Sequence, residues 1–525
     1  MKHRIALLAM LLMLPSCSPG NHADEPGTGP AKTDIVFDAK QGRYNPPVDL
    51  YTVGSVNPNL TFKQDESLEH NVHTEWAEER LGIRIRYLWT ISGTTETYAN
   101  KLRLELAKGN MPDVVTTRDA DVIQELIGSG QFREVGSLFE RYASPVWKKA
   151  VAEDPSAWDA FVRNGEQYAI PIMDYEYSSD PILWIRQDWL NRLSLPVPRT
   201  MDELERVLDA FTNRDPDGNG KKDTFGLAVS FRNGPNTWMG DSSWIFGAYG
   251  IVPEQWNRES DGSLAYGSVQ PAARKGIEQM KDWVMKGYVS MDSAWFDEEG
   301  AANLFVSGKA GIIAGPYWMR GWPLSKLAAQ EPKSAVVPVA IPSGPGGMVQ
   351  RRGSLPVNGA ILINKRMKHP EILFTYQNYL FDSYATSTGE FANGLAEGYD
   401  WTMVNGKPSI EPSALPLGGI RVASYTLTFD GARIPSRVTK EIPKDIAPVL
   451  LSQKDASRKE QYTGPPIPAM EADRELLRKL EQKTYQRIIF ADGSLGEFDD
   501  FVGKWREYGG DAMTREVNRW DKEKR

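Results

Sequence analysis

The sequence predicts an exported α/β protein of two or more lobes, organised around largely parallel sheets. Three observations carry that expectation. A basic and then apolar leader opens the chain, as in secretory signal peptides. Its 525 residues exceed what one compact core accommodates. From Val48 onward, β-like and helix-like runs alternate at a pitch that suits strands joined by crossover helices.

In the leader, Lys2 and Arg4 precede an apolar run from Ile5 to Leu14, too short for a permanent membrane span. Leu14-Pro15-Ser16-Cys17 follows and resembles the bacterial lipobox, whose thiol takes a diacylglycerol and becomes the mature N-terminus. Cys17 is the only cysteine, so an internal disulfide or a cysteine-based metal cluster is excluded. The other reading is an ordinary signal peptide that contains a cysteine. Residues 1–16 are thus expected as leader, and residues 17–46, rich in Gly, Pro, Ser, Asp and Lys, as a flexible tether on a lipid anchor. The expected location is the extracytoplasmic face of the cell membrane. A net charge of −8 argues against nucleic acid, which needs a basic footprint. The 16 Trp and 20 Tyr supply rings that fill cores and also stack on the apolar faces of sugars.

The body starts with an expected strand at Asp49–Gly54. A helix over Leu68–Leu81 ends at Gly82, a C-cap glycine. Alternation in Ile83–Tyr87 predicts a half-buried strand. A helix over Tyr98–Lys108, a strand over Pro112–Thr116 and a helix over Asp121–Ile127 continue the pattern. Thr200-Met201-Asp202-Glu203 is a capping box, and Met201, Leu204, Val207, Leu208 and Phe211 share one face of the helix it opens. The glycine-bracketed run from Gly308 to Gly315 reads as a short buried strand, with Tyr317 and Trp318 in the turn at its C-terminal end, where open α/β sheets place ligands.

Several of these segments resemble one family. Pro112-Asp113-Val114-Val115, Gly128-Ser129-Gly130, and Phe132-Arg133-Glu134-Val135 resemble the first lobe of extracellular solute-binding proteins. Gly165 to Pro171 resembles their crossover. Leu183-Trp184-Ile185-Arg186-Gln187-Asp188-Trp189-Leu190, continuing to Leu204, resembles the signature of the carbohydrate-type receptors of ABC importers, in their large lipoprotein subgroup. The resemblance implies a two-lobe, periplasmic-binding-protein-like fold of type II with an interlobe ligand cleft. A first lobe would cover residues 47–170 and a second residues 171–350. Residues 351–525 would complete both lobes and add C-terminal helices. It also implies an oligosaccharide ligand, ABC permease subunits as partners, a monomer, and no catalysis.

On that basis Tyr317 and Trp318 are expected to stack on sugar. Trp238, Asp241 and Trp244, together with Arg118 and Asp119 past the Pro112 strand, and Asp174 past the crossover, are candidate cleft residues. Arg118, Arg186 and Arg320 are candidate partners of a uronate carboxylate. For each, core packing or a solvated loop is the alternative. In residues 215–223, Asp215, Asp217, Asn219, Lys221 (through its carbonyl) and Asp223 follow the spacing of an EF-hand calcium loop, with glycine at the sixth position. Gly226 stands where that loop has its bidentate glutamate, so a structural Ca²⁺ and a metal-free polar turn are both open. His70 and His73 are expected on a solvated helix face. The rival function is an extracellular glycoside hydrolase or polysaccharide lyase, since paired carboxylates remain possible among the Asp and Glu residues. A non-sugar receptor on the same fold is the third reading.

Overall fold

The computed structural model describes residues 35–56 and 60–524. The leader, Cys17 and most of the expected tether lie outside these residues. The end of that tether is packed: Phe37–Asp38 and Arg43–Tyr44 pair antiparallel, and Tyr44 is buried with its hydroxyl 3.1 Å from Thr375 Oγ1.

Two sets of strands organise the chain, a two-stranded pair beside a three-stranded sheet in the first lobe and a four-stranded sheet in the second. Their strands are β1 (Val48–Val56), β2 (Ile83–Ser92), β3 (Val114–Thr117), β4 (Ile170–Met173), β5 (Ile182–Arg186), β6 (Phe225–Ala228), β7 (Ala310–Gly315), β8 (Val336–Val339) and β9 (Val357–Ile363). The helices used below are α1 (Thr95–Ala107), α2 (Ala120–Gly128), α3 (Met201–Asn213), α4 (Pro271–Met285), α5 (Pro468–Phe490), α6 (Glu497–Trp505) and α7 (Asp511–Lys524).

In the first lobe β1 and β2 are parallel, with Val48 opposite Ile83. β1 lies beside β3, where the Thr52 hydroxyl donates to the Val114 carbonyl at 3.0 Å. β9 pairs antiparallel with both β3 and β4. In the second lobe the order is β6-β7-β5-β8. There β6 and β7 are parallel, and the β7–β5 and β5–β8 pairs are antiparallel. Strand directions are therefore mixed across the two lobes, not largely parallel. The returning strand β9 enters the first sheet against its neighbours, a reversal that local patterning does not show.

Both faces of each sheet are covered, which explains the continuous apolar runs. Along β9, Ile361 and Ile363 join one cluster with Leu50, Trp147 and Phe374. Ala360 and Leu362 join the opposite one with Val53, Leu102 and Ile123. β5 divides likewise, Leu183 and Ile185 facing α3 and α4 while Ile182 and Trp184 face Phe305 and Met319. Each fully buried side chain of this size stabilises the fold by about 1.5–3 kcal/mol. The five expected apolar residues of α3 are all buried. Its capping box is displaced by one residue: Glu203 accepts from the Arg199 backbone N–H at 2.7 Å, not from that of Thr200. Gly82 has φ +65°, and a Cβ there would lie 2.1 Å from the Tyr44 carbonyl oxygen, so only glycine ends that helix.

The chain crosses between the sheets three times. It passes from β4 to β5 through residues 174–181 and back from Arg351–Gly353 to β9. It passes again after Ile434, since Val422, Tyr425 and Leu427 belong to the first lobe's core and Val438, Ile442 and Leu450 to the second's. Arg351 ties the crossing to the second lobe. Its buried guanidinium sits 3.3 Å from Asp180 and donates to the Leu450 carbonyl at 2.9 Å. Helices α5–α7 complete the second lobe, burying Tyr485, Ile488, Phe501, Trp505 and Val517 in the cluster of Trp244 and Trp283. Among the described residues no helix is long and apolar enough to cross a membrane.

Candidate functional site

At the crossings, an aromatic wall on the second lobe faces a charged band on the first. β7 ends at Gly315, and Pro316 directs the chain into a short turn that carries Tyr317 and Trp318. Both rings pack, half-buried, on the cluster that holds Ile182, Met239 and Met319. Trp238 is 47% exposed and meets Trp318 edge to face with ring centroids 6.2 Å apart. The Trp238 backbone N–H donates to the Glu298 carboxylate at 2.6 Å, which fixes that loop. Tyr175 packs on the same cluster. Burial pushes the Tyr317 phenol up to about 12, so the ring presents a neutral hydroxyl.

The charged band starts at Asp174, ion-paired with Arg433, whose guanidinium lies 5.0 Å over the Tyr175 ring. Arg433 also meets Asp430 at 3.2 Å. Asp430 in turn holds Arg118 at 2.8 Å and Arg421 at 2.6 Å. Burial alone would raise the Asp430 carboxyl, but Arg433, Arg421 and Arg118 together hold it below the usual carboxylate range. Arg118 leaves the end of β3 over the Phe429 ring at 4.7 Å. It passes Gly359, where a Cβ would come within 2.4 Å of the Thr117 carbonyl oxygen at φ +103°; the close approach of β9 to the Arg118 backbone depends on that glycine. Beyond the band lies a cavity of about 440 Å³, lined by Ser55, Thr95, Arg118, Arg421, Ser424 and Phe429 among others.

The structure brings Tyr317, Trp318, Trp238, Asp174 and Arg118 into this region and sends the other candidates elsewhere. Trp244 is wholly buried and donates its indole N–H to the Asp241 carbonyl at 2.9 Å. Asp241 is also buried, accepting from the Ser243 hydroxyl at 2.6 Å and facing Arg352 at 3.3 Å. Their aromatic-polar pattern closes a core turn. Asp119 caps α2 by accepting from the Val122 backbone N–H at 3.0 Å. Arg320 turns out to Asp445. Arg186 is buried between Asp188 and Glu331 at 2.7 and 2.8 Å. Of the three arginines named for a uronate, only Arg118 faces the cavity. Asp430, Arg421 and Arg433 escaped sequence reading. Their signal is a Phe429-Asp430-Gly431 turn flanked by two arginines. His73 corrects another expectation: it is buried, 2.7 Å from the Tyr376 hydroxyl, and burial lowers its imidazole to about 3.

In the loop over residues 215–223, Asp215 accepts from the backbone N–H groups of Asn219 and Gly220, each at 3.0 Å. The Asn219 amide nitrogen donates to Asp217 at 2.7 Å and to Asp223 at 3.2 Å. Lys309 takes the other Asp223 oxygen at 2.6 Å. Among the described residues no group of three or more His, Cys, Asp or Glu side chains is gathered to hold a metal ion. The donors are hard oxygens and fit Ca²⁺ in kind. In number they fall short, because Lys309 occupies Asp223 and Gly226 offers no side chain.

The larger cavity, about 640 Å³, is bordered by Asp121 and Gln124 of α2, Asn236 and Glu254 of the second lobe, and α5. Asp121 follows Arg118 by three residues and Asn236 precedes Trp238 by two, so this cavity is lined by segments that also carry site residues.

Comparison with known proteins places this geometry. The chain is 26% identical over 445 residues to the polygalacturonan/rhamnogalacturonan-binding protein YtcQ of Bacillus subtilis, covering 79% of this chain and 82% of that protein. It is 23% identical over 360 residues to the fructooligosaccharide ABC transporter substrate-binding protein FusA of Streptococcus pneumoniae, covering 66% and 61%. Among solved structures, the alginate-binding protein AlgQ2 superposes with a TM-score of 0.66 at 16% identity, over 90% of this chain and 97% of that one. FusA in complex with kestose superposes at 0.65 and 19%, over 90% and 98%. Such likenesses show the two-lobe fold. The profile described as bacterial extracellular solute-binding protein matches residues 61–383, and with that span the chain belongs to the bacterial extracellular solute-binding protein family.

Proposed function

We propose that this protein captures an oligosaccharide between its lobes and delivers it uncut to the transmembrane subunits of an ABC importer. The observation that carries this reading is the wall of Tyr175, Tyr317, Trp318 and Trp238 facing the Asp174–Arg433–Asp430 band. Aromatic faces take the apolar faces of sugar rings while charged and amide groups take the hydroxyls. YtcQ and FusA carry saccharide ligands in their names, which supports the same ligand class here. A ligand touching both walls would favour the closed arrangement, because those contacts exist together only there. The protein would act as a monomer, held at the membrane by a lipid on Cys17. Its 215–223 loop would take a structural Ca²⁺ only if Lys309 released Asp223 and another oxygen stood in for the side chain that Gly226 lacks. A FusA EF-hand mutant is among the solved structures this chain resembles.

The test is a thermal-shift screen of leaderless protein against plant and microbial oligosaccharides, with calcium and with chelator, followed by analysis of the recovered glycan. Binding only to the native state raises the melting temperature. Trp318→Ala should weaken the identified glycan about 30-fold, the loss of about 2 kcal/mol typical of a buried aromatic anchor. Recovery of shortened product would replace this reading with a hydrolase or lyase. Silence across the panel would replace it with a non-sugar receptor.

A further inference from the structure

The 440 Å³ cavity of the first lobe is built unlike the aromatic wall. Arg118 gives Asp430 a single hydrogen bond, through Nη2 at 2.8 Å. Arg421 contacts the same carboxylate through Nη2 at 2.6 Å, and its side chain is 62% exposed. Among the described residues these are their only ion-pair contacts, so most donors of both guanidiniums remain open to the cavity. Behind them Arg433 is shared between Asp430 and Asp174, which leaves three guanidiniums on two carboxylates. Asn358 adds a further amide donor to Asp430 at 3.3 Å. Gly93 and Thr95, at the start of α1, also line the cavity; α1 is a 13-residue helix whose N-terminal dipole end is positive. Ser55, Thr61 and Ser424 add hydroxyls. Surplus positive charge, open forked donors, a helix N-terminus and hydroxyl walls converge on one roomy space.

We propose that this cavity is an anion-reading subsite, which takes the acidic group of a charged sugar unit while the rest of the chain lies on the aromatic wall. The inference rests on the cleft being the saccharide site. Its chemistry suits a uronate carboxylate, which accepts bidentate bonds from Arg118 and Arg421. A sulfate ester offers the same charge, and the experiment separates the two.

Isothermal titration of leaderless protein compares trigalacturonate with its methyl ester, and a sulfated oligosaccharide with its desulfated form, in wild type, Arg421→Gln and the exposed control Arg320→Gln. Free galacturonate is titrated as a small probe that needs no aromatic wall. The expected result is a preference of about tenfold or more for the acid over the ester, the scale of one charge-assisted bond. That preference should fall with salt, disappear in Arg421→Gln and survive in Arg320→Gln. A matching preference confined to the sulfated pair keeps the anion subsite and names sulfate as its source. Equal binding of charged and uncharged chains overturns the subsite and leaves saccharide capture standing. Galacturonate binding that is lost in Arg421→Gln, with every oligosaccharide silent, keeps the anion site and overturns oligosaccharide capture. No response to any probe overturns both. Arg421 is exposed, so its variant folds; an unchanged melting temperature confirms that.

Discussion

Two cavities, one lined by Arg118 and the other by Asp121, handle charge in opposite ways. In the 440 Å³ cavity the buried carboxylate Asp430 is surrounded by guanidiniums and kept ionised. In the 640 Å³ cavity the arginines pair with other carboxylates: Arg474 with Asp121, and Arg478 with Glu475 at 2.9 Å. Glu254 and Glu460 on its walls, and Glu481 behind Tyr266, have no ion-pair partner among the described residues. Burial pushes Glu460 and Glu481 up to about 7, and burial with the neighbouring Glu481 raises Glu254 as well. Asp430 is itself buried, 7% exposed against 2% for Glu481. Partners, not depth, decide whether a buried carboxyl keeps its charge.

The largest effect should come from the ionised side. Asp430→Ala leaves Arg433 with Asp174 alone and strands part of a buried guanidinium cluster, at a cost of about 3 kcal/mol. Chemical denaturation would measure it; a loss below about 1 kcal/mol would show that water already screens this band. The next effect belongs to Glu481, which is 2% exposed. Its folded carboxyl titrates near 7 against an ordinary 4.5, so the native state holds the proton more tightly than the unfolded chain does. The stabilising contribution is complete below about pH 4.5 and is lost as pH rises to about 7 and beyond. Wild type should therefore melt several degrees lower at pH 8 than at pH 5. Glu481→Gln should flatten that slope in part, Glu460 supplying the remainder. An unchanged slope would mean that Glu481 does not titrate in this range.

Much of the fold was legible because local chemistry fixes it. Gly82 ends a helix, the apolar stripe of α3 finds the core, and β7 delivers Tyr317 and Trp318 to the turn at its C-terminal end. Strand direction was not legible, since β9 pairs with β3 across more than two hundred residues of chain. The site was half legible for the same reason. Arg118 and Asp430 lie 312 positions apart, and no spacing rule joins them. Asp241 and Trp244 misled because a serine-rich aromatic turn has the same composition whether it lines a pocket or closes a core. Only the packing of Arg352 and Trp283 against it separates the two.

The smallest prediction isolates one hydrogen bond on the neutral side of the comparison. The Tyr266 hydroxyl donates to Glu481 at 2.9 Å, while its ring stacks on Trp505 with centroids 5.3 Å apart and planes within 4°. Tyr266→Phe keeps the stack and removes only the donor. That donor stabilises the ionised carboxylate and lowers the Glu481 pKa against the pull of burial. Without it the carboxyl should hold its proton to still higher pH, so the fall in melting temperature between pH 5 and pH 8 should become deeper and extend to higher pH. The cost at pH 8 should be about 1 kcal/mol, the usual net worth of such a bond. At pH 5, where Glu481 is protonated in both proteins, the difference should be smaller. Equal losses at both pH values would mean that Tyr266 contributes packing alone, and that desolvation with the nearby Glu254 sets the titration of this cavity.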